Sequence, residues 1–269
     1  MNATVWEADR RHAQLAYDSA ARQLGLQTRR PWIGGAPDYR WDHLRLLLEV
    51  LPLDYEGLRA LEFGCNAGAS AILLAHLGAA VSAVDADERW ITLAALNAER
   101  YGVGDIDFAH VPDARTLPFA DGEFDLIACN SVLEYVERAQ LPAVQRELDR
   151  VLAPGGVLLV CGTGNRLWLR GGLWPWTARR GFGAHYDNLD SGFPNSFFSR
   201  SRQGIATAPW RQALLSRLAL LLDVSPGMLT RHLSCLLQKH GARARFRKGS
   251  ANLGVRQEGA EEHDSRVGP

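Results

Sequence analysis

Five short apolar runs constrain this chain more than anything else in it: RALEF (59–63), AAVSAVD (79–85), DIDFAHV (105–111), FDLIACN (124–130) and VLLVCG (157–162). Helical stretches fall between them, over 69–77, over 88–101 with Gly102 closing it, and over 141–152, followed by a PGG turn at 154–156. Short buried strands alternating with helices specify parallel βαβ units, an α/β sheet with helices on both faces. In such sheets ligands bind beyond the carboxyl ends of the strands, where the strand order reverses. Functional residues are therefore to be sought at strand ends.

The flanks differ from this centre. Residues 4–25 and 40–51 carry apolar residues at helical spacing, separated by a linker with Pro31, Gly34, Gly35 and Pro37. They read as an N-terminal helical extension over 1–57. Residues 163–210 break the rhythm with Trp168, Trp174, Trp176, Phe182, Tyr186, Phe193, Phe197, Phe198 and Trp210 among glycines and arginines. Order resumes over 212–224 and 225–241. ARARFRK (242–248) and ANLGVRQ (251–257) are expected to close the sheet as a hairpin around Gly249. The polar tail 258–269 reads as disordered.

Composition excludes several classes. Formal net charge is zero, so no global field draws the protein to nucleic acid or an anionic membrane. Met1 opens onto a polar stretch with no apolar core, so no secretory leader is expected. No apolar run approaches the ~20 residues of a membrane-spanning helix. The four cysteines, Cys65, Cys129, Cys161 and Cys235, form no C-x-x-C pair and read as reduced thiols of a cytoplasmic protein. The eight histidines are scattered, and no metal site is expected.

Chemistry concentrates in LEFGCNAG (61–68) and AVDAD (83–87). Gly64 and Gly68 make a strand-to-helix turn that admits close approach of a ligand, and Asn66 between them tolerates positive φ. A pyrophosphate site would need G-x-G-x-x-G. Here the turn reads E-x-G-x-N-x-G, and Glu62 would repel a pyrophosphate but suit a cationic amine. Asp85 ends the next strand, where an acid accepts hydrogen bonds from ribose hydroxyls. A nucleoside with a positive amine and no pyrophosphate has the shape of S-adenosylmethionine (SAM).

With these two motifs, VPDARTLPFADGEFDLIACNSVLEYV (111–136) and ELDRVLAPGGVLLV (147–160), the chain resembles the class I SAM-dependent methyltransferases, in the branch that modifies small molecules. The resemblance covers about 58–165. It implies a Rossmann-like fold with a mostly parallel seven-stranded sheet, a SAM-binding domain over 58–257, and an aromatic-rich insertion at 163–210 after the fifth strand. It implies that Gly64, Asn66 and Gly68 line the methionine part of SAM, with Glu62 supporting the loop and the amino group. Asp85 would hold the ribose hydroxyls, Asp113 and the Ala114 backbone would face the adenine amino group, and Asn130 would lie near the methionyl end. Tyr135 stands where many relatives have histidine, which unsettles any catalytic base carried over from them.

Methyl transfer from a sulfonium needs alignment and exclusion of water, and an aliphatic hydroxyl acceptor also needs a base. His185 and Tyr135 are the candidate bases, with Asp187 behind them. Residues 163–210, with 39–41, are expected to form the acceptor pocket and lid. The expected acceptor is a small molecule, methylated on O or N, such as a sugar, a glycan or a natural-product intermediate. Nucleic acid is disfavoured, because N-S-V-L-E-Y is not the N-P-P-Y type that holds a flipped adenine. Alternatives stay open: an RNA or protein methyltransferase, a SAM-fold scaffold without catalysis, or a non-methylating reaction in the same pocket. Oligomeric state is left open.

Overall fold

The computed structural model describes residues 11–28, 48, 53–133, 135–137, 139–164, 186–188 and 232–241. Its strands are β1 (Arg59–Phe63), β2 (Ala80–Asp85), β3 (Ile106–His110), β4 (Phe124–Asn130), β5 (Leu152–Gly164), β6 (Tyr186–Asn188) and β7 (His232–Lys239). Its helices are α1 (Arg11–Gln23), α2 (Ala69–His76), α3 (Glu88–Arg100) and α4 (Leu141–Val151). The strands form one sheet in the order β3-β2-β1-β4-β5-β7-β6. The pairs β1–β2, β1–β4, β2–β3 and β4–β5 are parallel. β7 runs antiparallel to both β5 and β6.

The fold is thus the Rossmann-like, mostly parallel sheet expected from the strand–helix rhythm. From β1 the chain winds outward through β2 and β3, then returns to the other side of β1 with β4. The order reverses between β1 and β4, so their carboxyl ends flank the crevice where such sheets bind ligands.

The period of two along the strands sorts the core. Ala60, Leu126, Ala128, Val157 and Leu159 face one side, against Ile72, Leu73, Leu74 and Ala94 of α2 and α3. Leu61, Phe63, Ile127, Cys129, Leu158 and Val160 face the other, against Val144, Leu148 and Val151 of α4. Both faces are covered, which is why the strands read as continuous apolar runs. Cys65 and Cys129 are buried, as expected. α1 adds a third small cluster in which Tyr17 and Ala21 meet Leu93.

Two elements differ from expectation. The PGG stretch is drawn into β5: pairing runs from Phe124↔Leu152 to Leu126↔Val157, so the intervening residues bulge out of register. The strand beside β5 is His232–Lys239, not the 242–257 hairpin, which lies outside the described residues. Within the aromatic-rich insertion, Tyr186–Asn188 supplies the edge strand β6. The expected helices at 40–51 and 212–224 fall almost wholly outside the described residues.

Candidate functional site

At the carboxyl end of β1, a tight turn leads into α2. Gly64 has φ +77° and Gly68 φ +76°, and Asn66 between them has φ +48°. Glycine is required at the first position for a reason the sequence did not disclose. A side chain there would meet Val132, with Cγ1 only 2.6 Å from the added carbon. At Gly68 the neighbours would be Ala94 and Phe108, at 3.2 and 3.4 Å. Packing from β3, α3 and the segment after β4 presses on the turn, so the glycines serve the fold whatever the ligand.

Glu62 has an unforeseen structural partner. α2 begins at Gly68 with no capping side chain of its own. The Glu62 carboxylate supplies the cap from β1, accepting the Ala71 N–H at 2.8 Å and hydrogen bonding with Ser70. A negative group there also complements the helix dipole. Burial nonetheless dominates, pushing the Glu62 carboxyl up to about 8.

Asp85, at the end of β2, holds the same turn from the other side. One oxygen accepts the Asn66 N–H at 2.8 Å, and the other accepts the Asp87 N–H at 3.0 Å. Burial raises its carboxyl above the usual range. The Ala86 N–H is a third backbone donor to it, so acceptor capacity remains for one further donor. The two acids share a field: Asp85 raises Glu62, and both raise the buried Cys65 thiol after burial itself. Among the described residues neither acid has an ion-pair partner. The site therefore favours a cation or a cluster of hydroxyl donors.

Asp113 and Ala114, expected on the adenine side, sit on the loop after β3. Asp113 is half-exposed and engaged by Arg115, whose Nε and Nη2 donate at 2.8 and 2.7 Å. That pairing holds the Asp113 carboxyl down at about 2. Ala114 packs against the second core cluster. Asn130 ends β4 beside Cys161 of β5, and Ser131 follows at φ +56°. Tyr135 is 81% exposed, and its N–H donates to the Val132 carbonyl at 2.9 Å. His185 lies outside the described residues, as do residues 39–41 and most of 163–210. Asp187 is on β6, opposite Gln238.

Two supports were missed from sequence. Arg150 of α4 donates to the Leu117 and Phe119 carbonyls and to Glu147 and Asp121, while Glu147 accepts the Leu117 N–H at 2.6 Å. Together they pin the far half of the loop that carries Asp113. The ELDR spacing, an i,i+3 acid–base pair, was the available signal. The second support is Asn97, fully buried on α3, whose Nδ2 donates to the Ala67 carbonyl of the turn at 2.6 Å. A polar residue on the face marked by Leu93 and Ala94 was its signal.

The family profile of the methyltransferase domain matches residues 61–160, from β1 to within β5. Over these residues the chain is similar to the class I SAM-dependent methyltransferases. The ubiquinone biosynthesis O-methyltransferase of Cereibacter sphaeroides is 39% identical to this chain over 115 residues, 43% of this chain and 44% of that protein. The protein of the same name from Maricaulis maris is 35% identical over 112 residues, 42% of each. The chain thus spans less than half the length of these curated relatives. Among solved structures, the N-methyltransferase NodS of Bradyrhizobium japonicum WM9, in complex with S-adenosyl-L-homocysteine, is 28% identical. It matches over 58% of this chain and 77% of its own, with a TM-score of 0.44. Among the described residues, no helix is long and apolar enough to cross a membrane, and no three His, Cys, Asp or Glu gather as a metal would need.

Proposed function

We propose that this protein is a SAM-dependent methyltransferase that methylates a hydroxyl of a small molecule. One observation carries the reading. The buried Glu62 and the half-buried Asp85, both with raised pKa values, hold one turn beside the reversal of the sheet and have no cationic partner among the described residues. The ammonium and ribose of SAM match that deficit. The O-methyltransferase names of the relatives support a hydroxyl acceptor.

SAM supplies an electrophilic methyl group on a sulfonium. The chain's own residues bind and orient it. The remaining acceptor capacity of Asp85 takes a ribose hydroxyl, and the Asn66 N–H keeps that carboxylate aimed at the turn. Glu62 fixes the start of α2, and an ammonium bound beside it would favour loss of the proton that burial holds there. Asp113 reaches the adenine amine by sharing its carboxylate with Arg115, an adjustment that costs little because the pair is exposed and screened by solvent. Asn130, at the end of β4, borders the methionyl end. For an aliphatic hydroxyl, His185 or Tyr135 would take the proton. An acidic phenol needs little help, because it ionises readily. Residues 163–210 are assigned the acceptor pocket.

Titration calorimetry with SAM and S-adenosylhomocysteine tests the cofactor. Micromolar binding to the wild type and its loss in Asp85→Ala are expected. Transfer of labelled methyl from SAM to phenolic and sugar acceptors then tests the reaction. A folded protein that binds neither nucleoside would overturn the reading. Labelling confined to RNA or protein fractions would move the acceptor to a macromolecule.

A further inference from the structure

A buried line of contacts joins the N-terminal helix to the cofactor turn. Tyr17 of α1 is fully buried, and its ring lies under the Arg100 guanidinium at 4.6 Å. Arg100, itself 3% exposed, also lies over Tyr101 at 5.4 Å and donates from Nη1 to Asn97 Oδ1 at 2.8 Å. Asn97 spends its own amide donor on the Ala67 carbonyl, between Asn66 and Gly68. α1 is outside the family-matched segment, and neither it nor Asn97 carries any role in the function assigned above.

We propose that Asn97 is a positioning residue for the cofactor turn and that α1 holds it in place, so that docking of α1 sets the affinity for SAM. The chemistry is specific. Asn97 is the side chain that both accepts from a guanidinium and donates to a main-chain carbonyl. Arg100 fixes which end of the amide faces which partner, because a guanidinium only donates. The Tyr17 ring gives that buried charge a favourable face. Burial makes each link directional, since no water competes for the amide.

The proposal rests on the SAM-binding reading for its functional consequence but not for its physical content. Asn97→Asp separates the two halves of the line. The aspartate keeps, and strengthens, the bond from Arg100, so α1 stays docked. It loses the donor and sets an oxygen against the Ala67 carbonyl. Amide hydrogen exchange on the ligand-free protein should then quicken about tenfold at Asn66 and Gly68, with β1 and β4 unchanged. Tyr17→Leu, which removes the ring from under Arg100, should quicken the same amides about threefold, whereas Tyr17→Phe should leave them as they are. In calorimetry, Asn97→Asp should weaken SAM about tenfold, and in turnover it should raise the KM for SAM while kcat holds. Unchanged exchange at the turn, or equal acceleration everywhere including β1 and β4, would overturn the proposal. A wild type that ignores SAM would defeat the assigned function, while the exchange data would still decide the role of Asn97.

Discussion

Gly64→Ala tests how tightly the cofactor turn is built. Two costs are separable in the structure. The backbone at Gly64 has φ +77°, a region that costs an alanine about 1–2 kcal/mol. The new methyl would also sit 2.6 Å from Val132 Cγ1, and such overpacking costs about 1–3 kcal/mol. The sum is about 2–5 kcal/mol. Val132→Ala alone removes partly buried methyls for about 1 kcal/mol. In the double variant the collision is gone and the backbone cost remains. The two substitutions should therefore couple favourably by about 1–3 kcal/mol. Urea denaturation of the four proteins, with constant m-values, measures this cycle. Additivity within about 0.5 kcal/mol would refute the claim that Val132 fills the space beside Gly64.

Three further outcomes are expected. The Tyr17 hydroxyl is buried and has no hydrogen-bond partner among the described residues, so Tyr17→Phe should stabilise the protein by about 1 kcal/mol in thermal unfolding; a loss would show that the hydroxyl is satisfied. Burial holds the Glu62 carboxyl at about 8 in the fold against an ordinary value of 4.5, so between those pH values the unfolded chain releases a proton that the folded one keeps. Wild-type stability should therefore fall as pH rises through that window and level off above it, and denaturation at pH 5 and 8 should show the slope flattened in Glu62→Gln. Arg150→Ala removes charge-assisted bonds to two carbonyls and two carboxylates, and should cost about 2–3 kcal/mol and weaken SAM binding. Arg150→Lys should recover little of this, because a point charge cannot replace the guanidinium fork.

The parts of the fold that were legible in the sequence are those whose signal is local. β1, β2, β4 and β5 are largely apolar runs and β3 alternates, and each is bounded by a helix with its own period. β7 was not legible. HLSCLLQK fits a helix or a strand equally well, and what decides it is pairing with Val157–Val160 of β5, some eighty residues away. The site divides in the same way. Glu62, Asp85 and the positive φ of Asn66 were readable, because strand-end acids and turn residues carry their meaning in sequence. The reasons behind them were not: Val132 against Gly64, the Glu62 carboxylate on the start of α2, and the reach of Asn97 to Ala67 are all contacts between separate elements. Asp113 was read as a ligand contact, and its grip on Arg115, two residues on, is the simpler local fact.

The remote cap on α2 has a bearing on descent. Because Glu62 starts a helix that the core needs, selection for folding alone would preserve it in a lineage that had given up catalysis. Its presence in a sequence is thus poor testimony that the chain still works as an enzyme. Asp113, exposed and tied among the described residues to a neighbouring arginine, has no such protection. It would be among the first positions to drift once the nucleoside was no longer bound.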